Sequence, residues 1–79
     1  MSKNAHSNPE RKGFAKRLRQ ARISAGHATM EAAARAAGIR SGVYWRHEKG
    51  KQGITLEFVK VYARTFGVRA GWLAFGDQR

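Results

Sequence analysis

The sequence predicts an all-α domain of five short helices, and three features predict it. Apolar residues recur at helical spacing in successive segments, glycines stand where those stripes stop, and no segment reads as a strand or as an internal repeat. Seventy-nine residues make one domain, with a core only just large enough to fold unaided.

Residues 1 to 12 hold Ser, Asn, Pro, Lys and Arg without an apolar period, and read as a flexible basic arm ahead of a domain spanning 13 to 79. From Gly13 the pattern changes. Phe14, Leu18, Ala21 and Ala25 recur at i, i+4, i+7 and i+11, one stripe of a helix that Gly26 ends, while Lys16, Arg17, Arg19 and Arg22 cover much of the remaining surface. Thr29 is an N-cap for a second helix rich in alanine, the best helix former, and Gly38 supplies the left-handed residue that ends it cheaply. Ser41 to Glu48 resumes a helix with Ile39, Val43, Tyr44 and His47 on or near one face, and Ser41, Gly42, Trp45 and Arg46 on the other. Lys49 to Ile54 is a loop marked by Gly50 and Gly53. Thr55 then caps a fourth helix whose core stripe is Leu56, Val59, Ala63 and Phe66, with a stop at Gly67. A last short helix, Arg69 to Phe75, presents Trp72, Leu73 and Phe75 before Gly76.

Two short helices joined by a tight turn containing glycine make a helix-turn-helix, whose second helix can lie in the major groove of DNA. On these residues alone, an ordinary helical hairpin in a small all-helical domain is the alternative. Charge favours a polyanionic partner. Sixteen Lys and Arg against five Asp and Glu give a formal net charge of +11, which suits DNA, RNA or an acidic membrane surface without choosing among them. The basic residues cluster at Arg11 to Arg22 and at Arg46 to Lys51.

Other chemistry finds little support. With no cysteine there is no disulfide framework and no thiolate metal site, which suits a cytoplasmic setting. No apolar run approaches the roughly 18 to 20 residues of a membrane span, and MSKNAHSNPERK lacks the apolar stretch of a signal peptide. His6, His27 and His47 lack metal-ligand spacing, Ser24 and Ser41 have no evident base and orienting acid, and no GxxxxGK[ST] loop is present. A carboxylate pair would have to come from Glu10, Glu31, Glu48, Glu57 and Asp77 alone. The expectation is a non-enzyme without metal or cofactor.

From Phe14 to Asp77 the residues resemble the phage-repressor and Cro-like helix-turn-helix domains, often called the XRE family. The resemblance rests on LRQAR at Leu18 to Arg22, Thr29 opening helix two with Ala34 inside it, GIRSGVYWRHEKG at Gly38 to Gly50, and FGVRAGWLAFGD at Phe66 to Asp77. Each is weak alone, but their order and the twelve-residue interval from Gly38 to Gly50 are specific together. It implies a compact five-helix, lambda-repressor-like domain.

The resemblance also implies roles. Thr29 and Met30 match positions that grip a phosphate at the start of helix two, where the family commonly has Ser-Gln; Thr29 can cap, but Met30 cannot replace the glutamine's hydrogen bonds. Ser41, Gly42, Trp45 and Arg46 match positions that reach base edges. Arg46 is the strongest base reader, because a guanidinium can bond both O6 and N7 of guanine, with a phosphate contact as its alternative. Trp45 could contact thymine methyl groups, stack on Arg46 or cover the neighbouring backbone. Arg40, Lys49 and Lys51 are phosphate candidates with the arm. Arg22 and Glu48 match an internal ion pair tying the recognition helix to helix one. Two departures concern the core. Ala33 stands where a large aliphatic is usual and Tyr44 where Ile or Val is preferred, so the ring is expected to fill the volume the alanines vacate. His47 replaces an aliphatic and reads as a packed histidine.

The function these residues imply is a sequence-specific DNA-binding transcriptional regulator, a homodimer that represses by occupying a double-stranded operator of approximate two-fold symmetry. Trp72, Leu73 and Phe75 are candidates for both the core and the dimer face. With no second domain, no self-cleaving switch is expected within the chain, and phages or mobile elements are its expected source. The main alternative is an antitoxin-like module that neutralises a protein partner and autoregulates its operon. A cationic membrane-surface or RNA-binding protein is a third.

Overall fold

The computed structural model describes residues 11–77 as five helices: α1 (Arg11–Ser24), α2 (Met30–Ala37), α3 (Ser41–Glu48), α4 (Leu56–Phe66) and α5 (Ala70–Phe75). No strand occurs among the described residues. The helix ends follow from side-chain chemistry. Thr29 Oγ1 accepts the amide proton of Ala32 at 3.0 Å, and Thr55 Oγ1 accepts that of Phe58 at 3.4 Å, each satisfying one of the amides a helix leaves open at its start. Gly38 and Gly67 stop α2 and α4 in the left-handed conformation, with φ of 71° and 70°.

Packing is arranged around α1 and α4. α1 contacts α3, α4 and α5; α4 also contacts α2 and α5; and α2 lies on α3. α1 contributes Phe14, Leu18 and Ala21 to the core, and α2 contributes Ala33 and Ala34. The small side chains of α2 share that core with large rings. Tyr44 of α3 is fully buried, edge-on to Tyr62 of α4 at a centroid distance of 5.4 Å, and Tyr62 in turn stacks on Phe66 at 6.2 Å. Tyr44 thus belongs to the same buried core as Ala33 and Ala34.

Four details differ from the sequence reading. The first concerns the arm assigned to residues 1 to 12. Its first ten residues lie outside the described ones, whereas Arg11 and Lys12 belong to the first turn of α1. Ala25 is exposed, because α1 ends at Ser24 and the chain has turned away before it can join the stripe. Leu56 is 64% exposed, and the core stripe of α4 begins at Val59 and includes Tyr62. α5 starts at Ala70, with Arg69 as its N-cap residue.

Candidate nucleic-acid interface

The recognition-helix candidate is held from behind by a buried guanidinium. Arg22 Nε and Nη2 donate to Glu48 Oε1 and Oε2 at 2.9 and 3.0 Å, a bidentate pair between α1 and the last residue of α3. Arg22 Nη1 also donates to the carbonyls of His27 and Ala28, at 3.0 and 2.9 Å, so the turn before α2 is tied to the same group. Glu48 Oε1 accepts a third bond, from the Tyr44 hydroxyl at 2.6 Å. The hydrogen bonds to Glu48 hold the Arg22 pKa above its ordinary value, and burial raises that of Tyr44. One side of α3 is therefore fixed to α1 and to the core.

The other side is open. Ser41, Gly42, Trp45 and Arg46 are all exposed, Trp45 to 43%. The structure brings three of these, Ser41, Gly42 and Trp45, together with Thr29, Met30 and Glu31 of the neighbouring helix around one cleft of about 450 Å³. Thr29 and Met30 thus share a surface with three of the four base candidates of α3. Arg46 lies outside the cleft, on the turn toward the α3–α4 loop, where its Nε donates to Gln52 Oε1 at 2.9 Å.

His47 packs inward. It is almost wholly buried, with Nδ1 2.8 Å from the Tyr62 hydroxyl and its ring edge-on to Phe58 at 4.6 Å. Burial pushes its pKa below 6.5, the nearby charge of Arg46 pushes the same way, and the backbone at Gly53 opposes them. Arg40, Lys49 and Lys51 are exposed. Lys49 lines an open groove with Met30 and with Lys12, Lys16 and Arg19, which follow one another along one face of α1. Lys12 was expected at the site as part of the arm; Lys16, Arg19 and Gln52 were absent from the site expected from sequence. Lys16 and Arg19 look like ordinary solvated charge until α1 is seen to run beside the start of α2 and the end of α3.

The candidates for a dimer face divide. Leu73 is 0% exposed, so it belongs to the core and is corrected out of the proposed face, because a side chain without surface cannot meet a partner. Trp72 is half-buried beside Val68 and Arg69, and Phe75 is 52% exposed. Behind Leu73, Arg17 donates to the carbonyls of Leu73 and Ala74 at 2.8 and 2.9 Å, securing the end of α5 against α1. Among the described residues, no helix is long and apolar enough to cross a membrane.

No family model matches the chain, and no curated protein matches it. Among solved structures it is similar to the crystal structure of a hypothetical transcription factor, NHTF, from Neisseria. The two share 23% sequence identity at a TM-score of 0.77, over 92% of this chain and 87% of that one. The chain thus has an all-helical fold that it shares with a protein described as a hypothetical transcription factor.

Proposed function

We propose that the chain is a sequence-specific DNA-binding transcriptional regulator of the phage-repressor and Cro-like kind. It binds as a homodimer to an operator of approximate two-fold symmetry and represses by excluding polymerase. The observation that carries this reading is the common surface of Thr29 and Met30 with Ser41, Gly42 and Trp45. An exposed helix beside the start of a second helix is the geometry by which one helix enters the major groove while its neighbour meets the backbone. The description of the Neisseria neighbour as a transcription factor agrees with it.

The roles follow from chemistry. Arg46 presents guanidinium donors to guanine, Ser41 supplies a hydroxyl, and Trp45 offers an apolar ring to a thymine methyl group. Thr29, Met30, Arg40, Lys49 and Lys51 sit against phosphates, joined by Lys12, Lys16 and Arg19 of α1; these fix orientation while the base contacts specify sequence. The dimer is formed through the end of the domain carrying Trp72 and Phe75, on DNA if not before.

The test is selection of bound fragments from random double-stranded DNA at about 0.15 M salt, the physiological ionic strength, followed by sequencing. The expected product is a two-fold symmetric consensus with half-site centres about 10 to 10.5 base pairs apart. Arg46→Ala should lose roughly 1 to 3 kcal/mol per half-site on that consensus and flatten preference at one base pair. Fragments enriched without any consensus would overturn the regulator reading, and a single half-site bound at full affinity would overturn the dimer.

A further inference from the structure

The α3–α4 loop carries a side chain placed to control how Arg46 meets a base. Gly50 adopts φ of 70°, and Lys51 returns its amide to the carbonyl of Arg46 at 2.8 Å, so the chain folds back over the last turn of α3 instead of leaving it. A side chain at position 50 would be strained in that conformation. The reversal sets Gln52 beside Arg46 and His47. Its Oε1 accepts from Arg46 Nε at 2.9 Å, and its Nε2 lies 3.4 Å from His47 Nε2. His47 is itself fixed in the core by the Tyr62 hydroxyl at 2.8 Å. With the Gln52 oxygen taken by Arg46, the Gln52 amide nitrogen is the atom turned toward His47.

We propose that Gln52 is a positioning residue for base reading: it grips the Nε edge of Arg46 so that the two terminal nitrogens of the guanidinium face outward for O6 and N7 of one guanine. This rests on the DNA-binding reading above. An arginine has five N–H donors in a planar fork, and a flexible side chain must lose rotamer freedom before both ends of that fork engage a base. A partner on Nε fixes the plane beforehand and leaves the four terminal N–H groups for the base. Gln52 thereby favours guanine over other bases without touching DNA, and it does so through an acceptor oxygen that Ala lacks and Glu keeps.

The experiment measures binding of the full chain to the selected consensus and to the three single-base replacements at the position where Arg46→Ala loses its preference. Thermal melting checks that each variant is folded. Gln52→Ala is expected to reduce the preference for guanine there by about three- to tenfold, the worth of one hydrogen bond, with binding to random DNA unchanged. Gln52→Glu is expected to restore the preference ratio, because its carboxylate still accepts from Nε, even as its charge weakens binding to every sequence. Retention of the full preference by Gln52→Ala, in a chain where Arg46→Ala abolishes it, would overturn the positioning role and leave the DNA reading standing. An equal loss on all sequences in Gln52→Ala would overturn it also, marking Gln52 as a backbone contact. Absence of any preferred sequence for the unaltered chain would be the distinct failure of the DNA reading itself.

Discussion

Arg22 joins three parts of the chain through one planar group. Its fork meets both oxygens of Glu48, while its remaining terminal nitrogen closes on two carbonyls of the turn before α2. Taking two charges out of water is costly, and their attraction offsets that cost only where the remaining lone pairs and protons are also satisfied. Here the Tyr44 hydroxyl satisfies Glu48 further, and no buried side-chain polar atom among the described residues lacks a partner. Glu48→Ala would leave Arg22 half-paired and the Tyr44 hydroxyl without its acceptor. The expected loss is about 3 kcal/mol, near the lower end for breaking a buried pair, and a fall in Tm of at least about 10 °C. A thermal melt decides it, and an unchanged midpoint would mean that ring packing alone holds α3 to α1. DNA affinity should fall only as a consequence of the lost stability.

The ends of α2 and α4 were the most legible part of the sequence because they are set locally. A threonine hydroxyl reaches the third amide of its own helix, and glycine tolerates positive φ, whatever the rest of the fold does. Facing was harder to read. Leu56 and Tyr62 both fit a helical stripe, but whether a neighbouring helix covers the first turn of α4 depends on distant residues; the core took Tyr62 and left Leu56 in solvent. Long polar side chains were harder still. Arg17 reads as surface charge yet reaches carbonyls at the end of α5, and Gln52 meets Arg46 only because the chain reverses at Gly50. The exposed face of α3 was read correctly as a set of exposed residues, since Tyr44 and His47 fix the opposite side as core. This face gives a separable prediction at Gly42, where an added Cβ would have no heavy atom within 4 Å. Gly42→Ala should stabilise the helix by up to about 1 kcal/mol, raising Tm; in the DNA-binding reading proposed above it also sets a methyl group where α3 meets DNA and weakens specific binding. Higher Tm with undiminished affinity would show that DNA does not approach α3 at that point.

Charge and pH act on the domain as a unit. Placing Arg11 and Lys12 in α1 leaves Lys3 as the one cationic side chain among residues 1 to 10, opposed by Glu10. In the DNA-binding reading proposed above, the charge that meets phosphates therefore comes from Arg11 onward and not from residues 1 to 10. Each phosphate neutralised contributes about −0.9 to the slope of log affinity against log salt. Replacing Lys12 and Lys16 by Ala together should make that slope shallower by about 1.8, and deleting residues 1 to 10 should change it less. A larger effect from the deletion would return the clamp to the arm. Stability should also depend on His47. Burial favours its neutral ring in the folded chain, so as pH falls below 6.5 the unfolded chain takes up the proton first. Its contribution is fully present above that pH and is lost on acidification until the folded ring also protonates, with a slope of at most about 1.4 kcal/mol per pH unit. Denaturant titrations from pH 7.5 downward measure the slope, and His47→Leu should remove it.

The two tryptophans stand in unlike surroundings, Trp45 open on α3 and Trp72 half-buried on α5. The domain thereby carries two built-in optical reporters. Indole emission shifts to shorter wavelength as water is removed, so Trp45 reports whatever covers the open side of α3 while Trp72 reports the surroundings of the α4–α5 end. In the DNA-binding reading proposed above, a chain with Trp72→Phe signals the arrival of DNA through Trp45 alone, allowing association rates to be followed without an attached dye.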